Sequence, residues 1–301
     1  MKRLASIVVV AAVLLPLAAC GADKTPEPNP TTSRVVTIEL GDRPFDLYVP
    51  DAYDPAKPAP LVVGLHGYTS RSKELESYFN LKAQADQRGF LYALPDGTVD
   101  RRDDQFWNAT NACCDLYGSG VDDSTYLSKL IDTIKSTYSV DADRVFLVGH
   151  SNGGYMSHRM ACDHADQITA IASLAGVVWA DPARCTPSRP VSVLQIHGTA
   201  DGQVSFDGGS FTSDRTYPGA EQTVATWRTL NGCTEVADTS APPRDLDDAV
   251  DGAETTVIAY RDGCADGSRV ELWRMAGSGH VPWLTDAFAP AVIDFLFASA
   301  T

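Results

Sequence analysis

No stretch of the chain stays apolar long enough to cross a bilayer. The longest such run, Ala5–Leu17, has 13 residues and is interrupted by Ser6 and Pro16, where a spanning helix needs about 20. Basic residues are scarce: 24 Lys and Arg stand against 39 Asp and Glu, for a net charge of −15. An acidic body repels polyanions, so no nucleic-acid partner is expected. Acidity does not choose a substrate. No Cys-x-x-Cys or His-x-x-x-His spacing occurs, so no metal or other cofactor is expected. Internal repeats and a second linker are also lacking.

What the N-terminus does contain is a targeting pattern. Lys2 and Arg3 precede the apolar run, which has the length of a secretory core. It closes on Leu17-Ala18-Ala19-Cys20, followed by Gly21. Small residues before a cysteine at this point resemble the bacterial lipoprotein box. That resemblance implies cleavage before Cys20 and a lipid on its thiol; the alternative is an ordinary signal peptide cut near Ala19. Acyl chains on Cys20 would hold the protein at a membrane surface without a spanning helix, so an exported location, membrane-anchored or secreted, is expected. Residues 21–33 are polar, with Pro26, Pro28 and Pro30, and read as a flexible tether. The remainder, 34–301, has the size of a single large α/β domain, expected as a monomer.

Six cysteines remain beyond Cys20. In an exported chain they suggest three disulfides. Cys233 and Cys264, each in a glycine-containing turn, are expected to pair. Cys113 and Cys114 are adjacent. Across a trans peptide their Cα atoms would lie ~3.8 Å apart, under the ~4.4 Å usual for a disulfide. They are therefore expected to bond to Cys162 and Cys185, in an undecided order.

Apolar patterning predicts strands at 35–40, 45–49, 61–65, 90–94, 145–148, 168–174, 191–196, 255–260 and 269–275. Helices are expected over 72–88, 122–138, 152–164, 219–230 and 289–299, with Asp122 or Asp123 capping the second. Alternation of the two types indicates an α/β fold with a mostly parallel sheet covered on both faces.

Gly149-His150-Ser151-Asn152-Gly153 matches G-x-S-x-G. The strand before it and the helix after it give the context in which such a serine sits exposed on a strained turn, with glycines removing side chains that would collide. This points to the α/β-hydrolase fold and to Ser151 as nucleophile. In that fold the acid and then the base follow the serine. His66 and His150 precede Ser151, His158 and His164 follow too soon, and His197 lies at the end of the strand expected to deliver the acid. His280, on a glycine loop after strand 269–275, remains as base. Asp201, in the loop leaving strand 191–196, is the expected acid, with Asp207 as runner-up. For the oxyanion, donors are expected from the backbone N–H of Asn152 and of Tyr68 in His66-Gly67-Tyr68-Thr69, with Thr69 the alternative to Tyr68. His66 is expected to brace that loop. Trp107 and Trp283 are candidates for the pocket lining or for packing.

A wider set of segments resembles the polyhydroxybutyrate depolymerase and feruloyl esterase family, which includes actinobacterial lipoprotein esterases. The likeness is carried in order by Leu65-His66-Gly67, Pro95-Asp96-Gly97, Trp107-Asn108-Ala109, Cys113-Cys114, Val121-Asp122-Asp123, Gly149 to Gly154, Ala161-Cys162, Ile196 to Asp201, Asp207-Gly208-Gly209 and Gly279-His280. It implies Ser151 as nucleophile, Asp201 as acid and His280 as base. Tyr68 stands where relatives often carry cysteine. Val281-Pro282-Trp283 replaces a common Thr-Trp-Pro. Both departures border the expected acyl pocket.

The expectation is a secreted serine esterase acting through an acyl-enzyme. Its small-molecule or polymer substrate would be a short-chain acyl ester, a feruloyl or acetyl ester of polysaccharide, or a hydroxyalkanoate ester. Transfer of the acyl group to a cell-wall acceptor, or a non-catalytic surface-binding lipoprotein, are the competing readings.

Overall fold

A computed structural model describes residues 33–300; the targeting segment, Cys20 and nearly all of the tether lie outside the described residues. Along the chain the strands are β1 (Arg34–Ile38), β2 (Phe45–Val49), β3 (Ala59–Leu65), β4 (Leu91–Leu94), β5 (Thr98–Val99), β6 (Gln105–Phe106), β7 (Val140–His150), β8 (Ala170–Leu174), β9 (Ser192–Gly198), β10 (Gly208–Ser210), β11 (Thr216–Pro218), β12 (Thr255–Tyr260) and β13 (Val270–Met275). The helices are α1 (Ser72–Phe79), α2 (Leu81–Arg88), α3 (Asp123–Thr137), α4 (Asn152–Asp163), α5 (Ala220–Leu230) and α6 (Phe288–Phe297).

Nine strands form one sheet in the order β1-β2-β4-β3-β7-β8-β9-β13-β12. The six from β4 to β13 run parallel, while β1, β2 and β12 join antiparallel at the edges. Both faces are covered, and the strands show it residue by residue. In β7, Val145 and Leu147 pack into one apolar cluster with α3, α4 and α5, while Phe146 and Val148 pack into a second with α1, α2 and α6. Successive strand side chains point to opposite faces, so a run apolar at every position must be buried on both. The result is an α/β-hydrolase fold. Because the six inner strands are parallel, the loops after β3, β7, β9 and β13 emerge at one edge. No helix among the described residues is long and apolar enough to cross a membrane.

The boundaries differ from expectation where a single residue intervenes. The helix expected over 72–88 is two helices, because Asn80 adopts a left-handed conformation (φ 52°) and its N–H bonds Glu76 O at 2.8 Å. Asn is among the few residues that take this conformation readily. The small hairpins β5–β6 and β10–β11 are too short and too polar to register as periodic patterns. At the start of α3 the two aspartates divide roles. Asp122 caps the helix by accepting from Thr125 N at 3.0 Å. Asp123 is fully buried and accepts from Arg43 at 2.6 Å and from Asn108 N at 2.7 Å. Arg43 in turn lies over the Tyr126 ring, 3.7 Å from its centre.

The disulfides correct the expected pairing. Cys113 and Cys114 bond to each other across a cis peptide, with Cα atoms 3.1 Å apart, closer even than the trans spacing; the Cα distance usual between separate cysteines does not bar an adjacent pair. Cys162 in the last turn of α4 and Cys185 lie with Cα atoms 4.7 Å apart and bond to each other, which leaves the adjacent cysteines no other partner. Cys233 and Cys264 form the third bridge. Three disulfides fit an oxidising compartment.

Replacing Asp123 with alanine leaves the part-buried Arg43 guanidinium without its carboxylate, with only Asp96 O at 3.2 Å among the described residues, and the Asn108 N–H without its acceptor. Asp123→Ala is expected to lower stability by about 3–5 kcal/mol, read as a reduced urea midpoint with the disulfides intact.

Candidate active site

β7 carries the chain directly into Ser151, which stands at φ 53° and ψ −117°, outside the ordinary regions for a side-chain-bearing residue. α4 begins at the next residue. The turn is possible because backbone crowds it from two sides. A Cβ on Gly149 would collide with Gly153 O, and one on Gly153 would collide with Leu65 O at the end of β3. The Ser151 N–H is fixed by Leu174 O at 2.7 Å.

The loops after β9 and β13 bring the other two residues to it. His280 Nε2 lies 2.9 Å from Ser151 Oγ, and His280 Nδ1 lies 2.7 Å from Asp201 Oδ2. Asp201 Oδ1 accepts from the Gln203 and Val204 N–H groups at 2.8 and 2.9 Å. His197 Nε2 lies 3.3 Å from Oδ2. Burial by itself would raise the Asp201 pKa. Hydrogen bonding from His197 and His280, the charge of His280 and the turn N–H groups outweigh it and hold the carboxyl well below its ordinary range. Asp207, the runner-up acid, is exposed in the turn before β10 and makes no hydrogen bond or ion pair with His280.

The loop holding His280 is tied down by its neighbours. His150 Nε2 donates to His280 O at 3.0 Å, and the Tyr78 hydroxyl donates to Pro282 O at 2.9 Å. Opposite, His66 is fully buried. Its Nδ1 bonds Gly67 O at 2.7 Å and its Nε2 accepts from Gly97 N at 2.9 Å. Burial lowers its pKa, which leaves it a neutral brace. The Thr69 N–H is engaged by Gln105 O at 2.9 Å, which removes it as an oxyanion donor. The N–H groups of Tyr68 and Asn152 have no partner among the described residues. The Asn152 side chain clamps Trp107 by accepting from its N–H at 2.7 Å and donating to its carbonyl at 2.9 Å. Trp107 is fully buried and belongs to the core, whereas Trp283 is exposed on the surface.

Between these loops opens a cleft of about 610 Å³, within the usual size for a small-ligand site. Gly67, Tyr68, Leu75, Tyr78, Ser151, Gln203, His280 and Val281 are among its lining residues. A hydroxyl hydrogen-bonded to an imidazole that is hydrogen-bonded to a carboxylate, next to two free N–H groups, is the arrangement that acyl transfer needs.

A family described as "Putative esterase" matches residues 40–238. The chain belongs to this family and is a carboxylic-ester hydrolase. The putative esterase NocK of Nocardia uniformis subsp. tsuyamanensis is 32% identical over 280 residues, 87% of this chain and 77% of that protein. Feruloyl esterase B of Piromyces equi is 28% identical over 77% of this chain, which spans only 41% of that relative's length. Among solved structures, the acetyl xylan esterase from Aspergillus awamori superposes with a TM-score of 0.60 at 15% identity, covering 88% of this chain and 99% of the other; this likeness is one of fold.

The polar residues that sequence reading passed over lie behind Asp201. His158 is fully buried, and burial pushes its pKa down to about 4. In the unfolded chain it titrates near 6.5. Between those values the unfolded state binds more protons, so this contribution to stability is complete above about pH 6.5 and is lost as pH falls toward 4. The loss is on the order of 3 kcal/mol. Glu76 and Asp123, raised by burial, act in the opposite sense but equally in a variant that spares them. Thermal melts of His158→Gln should therefore show a smaller loss of Tm between pH 7 and pH 4.5 than wild type does.

Proposed function

We propose that the protein is an exported serine esterase that works through an acyl-enzyme on Ser151. Ser151 Oγ attacks the ester carbonyl carbon while His280 Nε2 takes its proton. Asp201 holds the Nδ1–H tautomer and faces the imidazolium that forms. The carbonyl oxygen, now negative, accepts from Tyr68 and Asn152 N–H. Collapse expels the alcohol, which leaves with the proton from His280. Water, deprotonated by the same imidazole, then releases the acid and regenerates Ser151. The continuous line from Ser151 Oγ through His280 to Asp201 carries this reading. It also favours catalysis over a purely binding role.

The cleft walls, Tyr68, Leu75, Tyr78 and Val281, suit an acyl group of modest size with apolar or aromatic character. The substrate class proposed is therefore a short-chain, feruloyl or acetyl ester on polysaccharide, or a hydroxyalkanoate ester. The names of relatives agree with the first of these: feruloyl esterase B and a bifunctional acetylxylan esterase/xylanase from Neocallimastix patriciarum. Lipidation at Cys20 would place the enzyme at the outer face of the membrane, with residues 21–33 as tether. Cleavage before Cys20 makes 34–301 the single catalytic domain of the mature protein.

A fluorophosphonate probe should label wild type and not Ser151→Ala; folded wild type that resists the probe would end the proposal. His280→Ala should lower kcat/KM on a p-nitrophenyl ester by roughly 10³-fold or more. Initial rates on methyl ferulate, acetylated xylan and polyhydroxybutyrate then separate the substrate classes. In cell fractionation, Cys20→Ala should move the protein from the membrane pellet to the soluble fraction.

A further inference from the structure

Asp201 is backed by a chain of buried side chains contributed by α5, α4 and β9. Trp227 Nε1 lies 2.9 Å from His158 Nδ1, and His158 Nε2 lies 3.0 Å from Gln195 Oε1. Gln195 Nε2 lies 2.8 Å from Gly176 O and 3.2 Å from His197 Nδ1. His197 Nε2 lies 2.8 Å from Val204 O and 3.3 Å from Asp201 Oδ2. Trp227, His158, Gln195 and His197 are all fully buried, so bulk water does not reach them.

Proton positions along this chain follow from chemistry at both ends. An indole N–H can only donate, so His158 Nδ1 accepts and its proton sits on Nε2. That proton goes to Gln195 Oε1. Independently, Gly176 O can only accept, which requires the amide nitrogen of Gln195 to face it. The second amide proton then points to His197 Nδ1, which must carry the lone pair. His197 is left with its proton on Nε2, between Val204 O and the Asp201 carboxylate. The opposite tautomer would set a lone pair against two oxygens.

We infer that His197 is a positioning residue for the acid, locked by Trp227, His158 and Gln195 as an Nε2–H donor that holds the 201–204 turn and keeps Asp201 aimed at His280. The shorter bond, to Val204 O, fixes the turn whose Gln203 and Val204 N–H groups bind Asp201 Oδ1. The longer contact lays the positive end of the N–H dipole beside Oδ2. As a neutral donor it supports the carboxylate without replacing the imidazolium of His280 as its counter-charge. The inference rests on the proposed roles of Ser151, His280 and Asp201.

Two measurements test it. In ¹⁵N-histidine-labelled wild type at neutral pH, long-range ¹H–¹⁵N spectra should show His158 and His197 as Nε2–H tautomers and His280 as Nδ1–H. An Nδ1–H tautomer at His197 overturns the inference, and this reading requires no variant to fold. In steady-state kinetics on a p-nitrophenyl ester, His197→Phe should lower kcat by about 100-fold with KM changed less than about twofold. His197→Gln keeps an N–H donor and should recover about tenfold of that loss. A folded His197→Phe with kcat near wild type, or a loss confined to KM, overturns the inference. If Ser151→Ala and His280→Ala are inactive while His197→Phe is not, only this inference falls. If Ser151→Ala retains activity, the acyl-enzyme reading falls instead.

Discussion

The structure turns on the approach of one piece of backbone to another: the start of α4 against the end of β3. Gly153 lies so close to Leu65 that no side chain fits between them, and Gly149 lies equally close to Gly153. That contact forces Ser151 into φ 53° and lifts its hydroxyl away from the sheet. It also sets the loop after β3, with Gly67 and Tyr68, beside Ser151. The strain at one residue costs of order 1–3 kcal/mol and persists only where the surroundings over-determine it. Here they comprise two strands packed on both faces, a helix start and the Ser151 N–H bond to Leu174 O.

Around that fixed point the polar groups form two braces. One passes from Gly97 through His66 to Gly67, and from Trp107 through the Asn152 side chain, and it shapes the oxyanion side. The other passes from Trp227 through His158, Gln195 and His197 to the turn that holds Asp201. Both are buried and anchored by groups of fixed character, backbone N–H and carbonyl groups and the Trp227 indole N–H. A buried polar network costs little only when each member is satisfied, and satisfaction leaves each ring one tautomer. The acyl pocket, by contrast, opens to solvent.

Much of this was legible in the residues. The parallel inner strands announced themselves as apolar runs, and the G-x-S-x-G turn fixed the order in which partners had to be sought. That order led to Asp201 and His280, and the structure brings both to Ser151. What escaped had physical causes. Asn80 splits a continuous helical pattern because its backbone conformation, not its polarity, breaks the helix. The Cys113–Cys114 bridge escaped because a Cα spacing usual between separate cysteines was applied to adjacent ones. Asp123 looked like a second cap and is instead the buried partner of Arg43. Gln195 and His197 did leave a trace: two polar residues at alternate positions among the apolar Val193, Leu194 and Ile196, both on one buried face. His158 and Trp227 left none, since only the packing of α4 and α5 against that strand joins them.

Ser151, Asp201 and His280 follow three different strands, and the last of these, β13, ends at Met275. Order along the chain therefore becomes order in time. A chain emerging from its N-terminus presents the serine 129 residues before the imidazole proposed to activate it. Under the proposed roles, the hydroxyl would stay an ordinary alcohol until β13 has paired with β9 and its loop has closed. With those roles, a molecule whose loop after β13 is not in place would be chemically silent. On the proposed mechanism, hydrolysis would begin only once the last strand of the parallel sheet is in place.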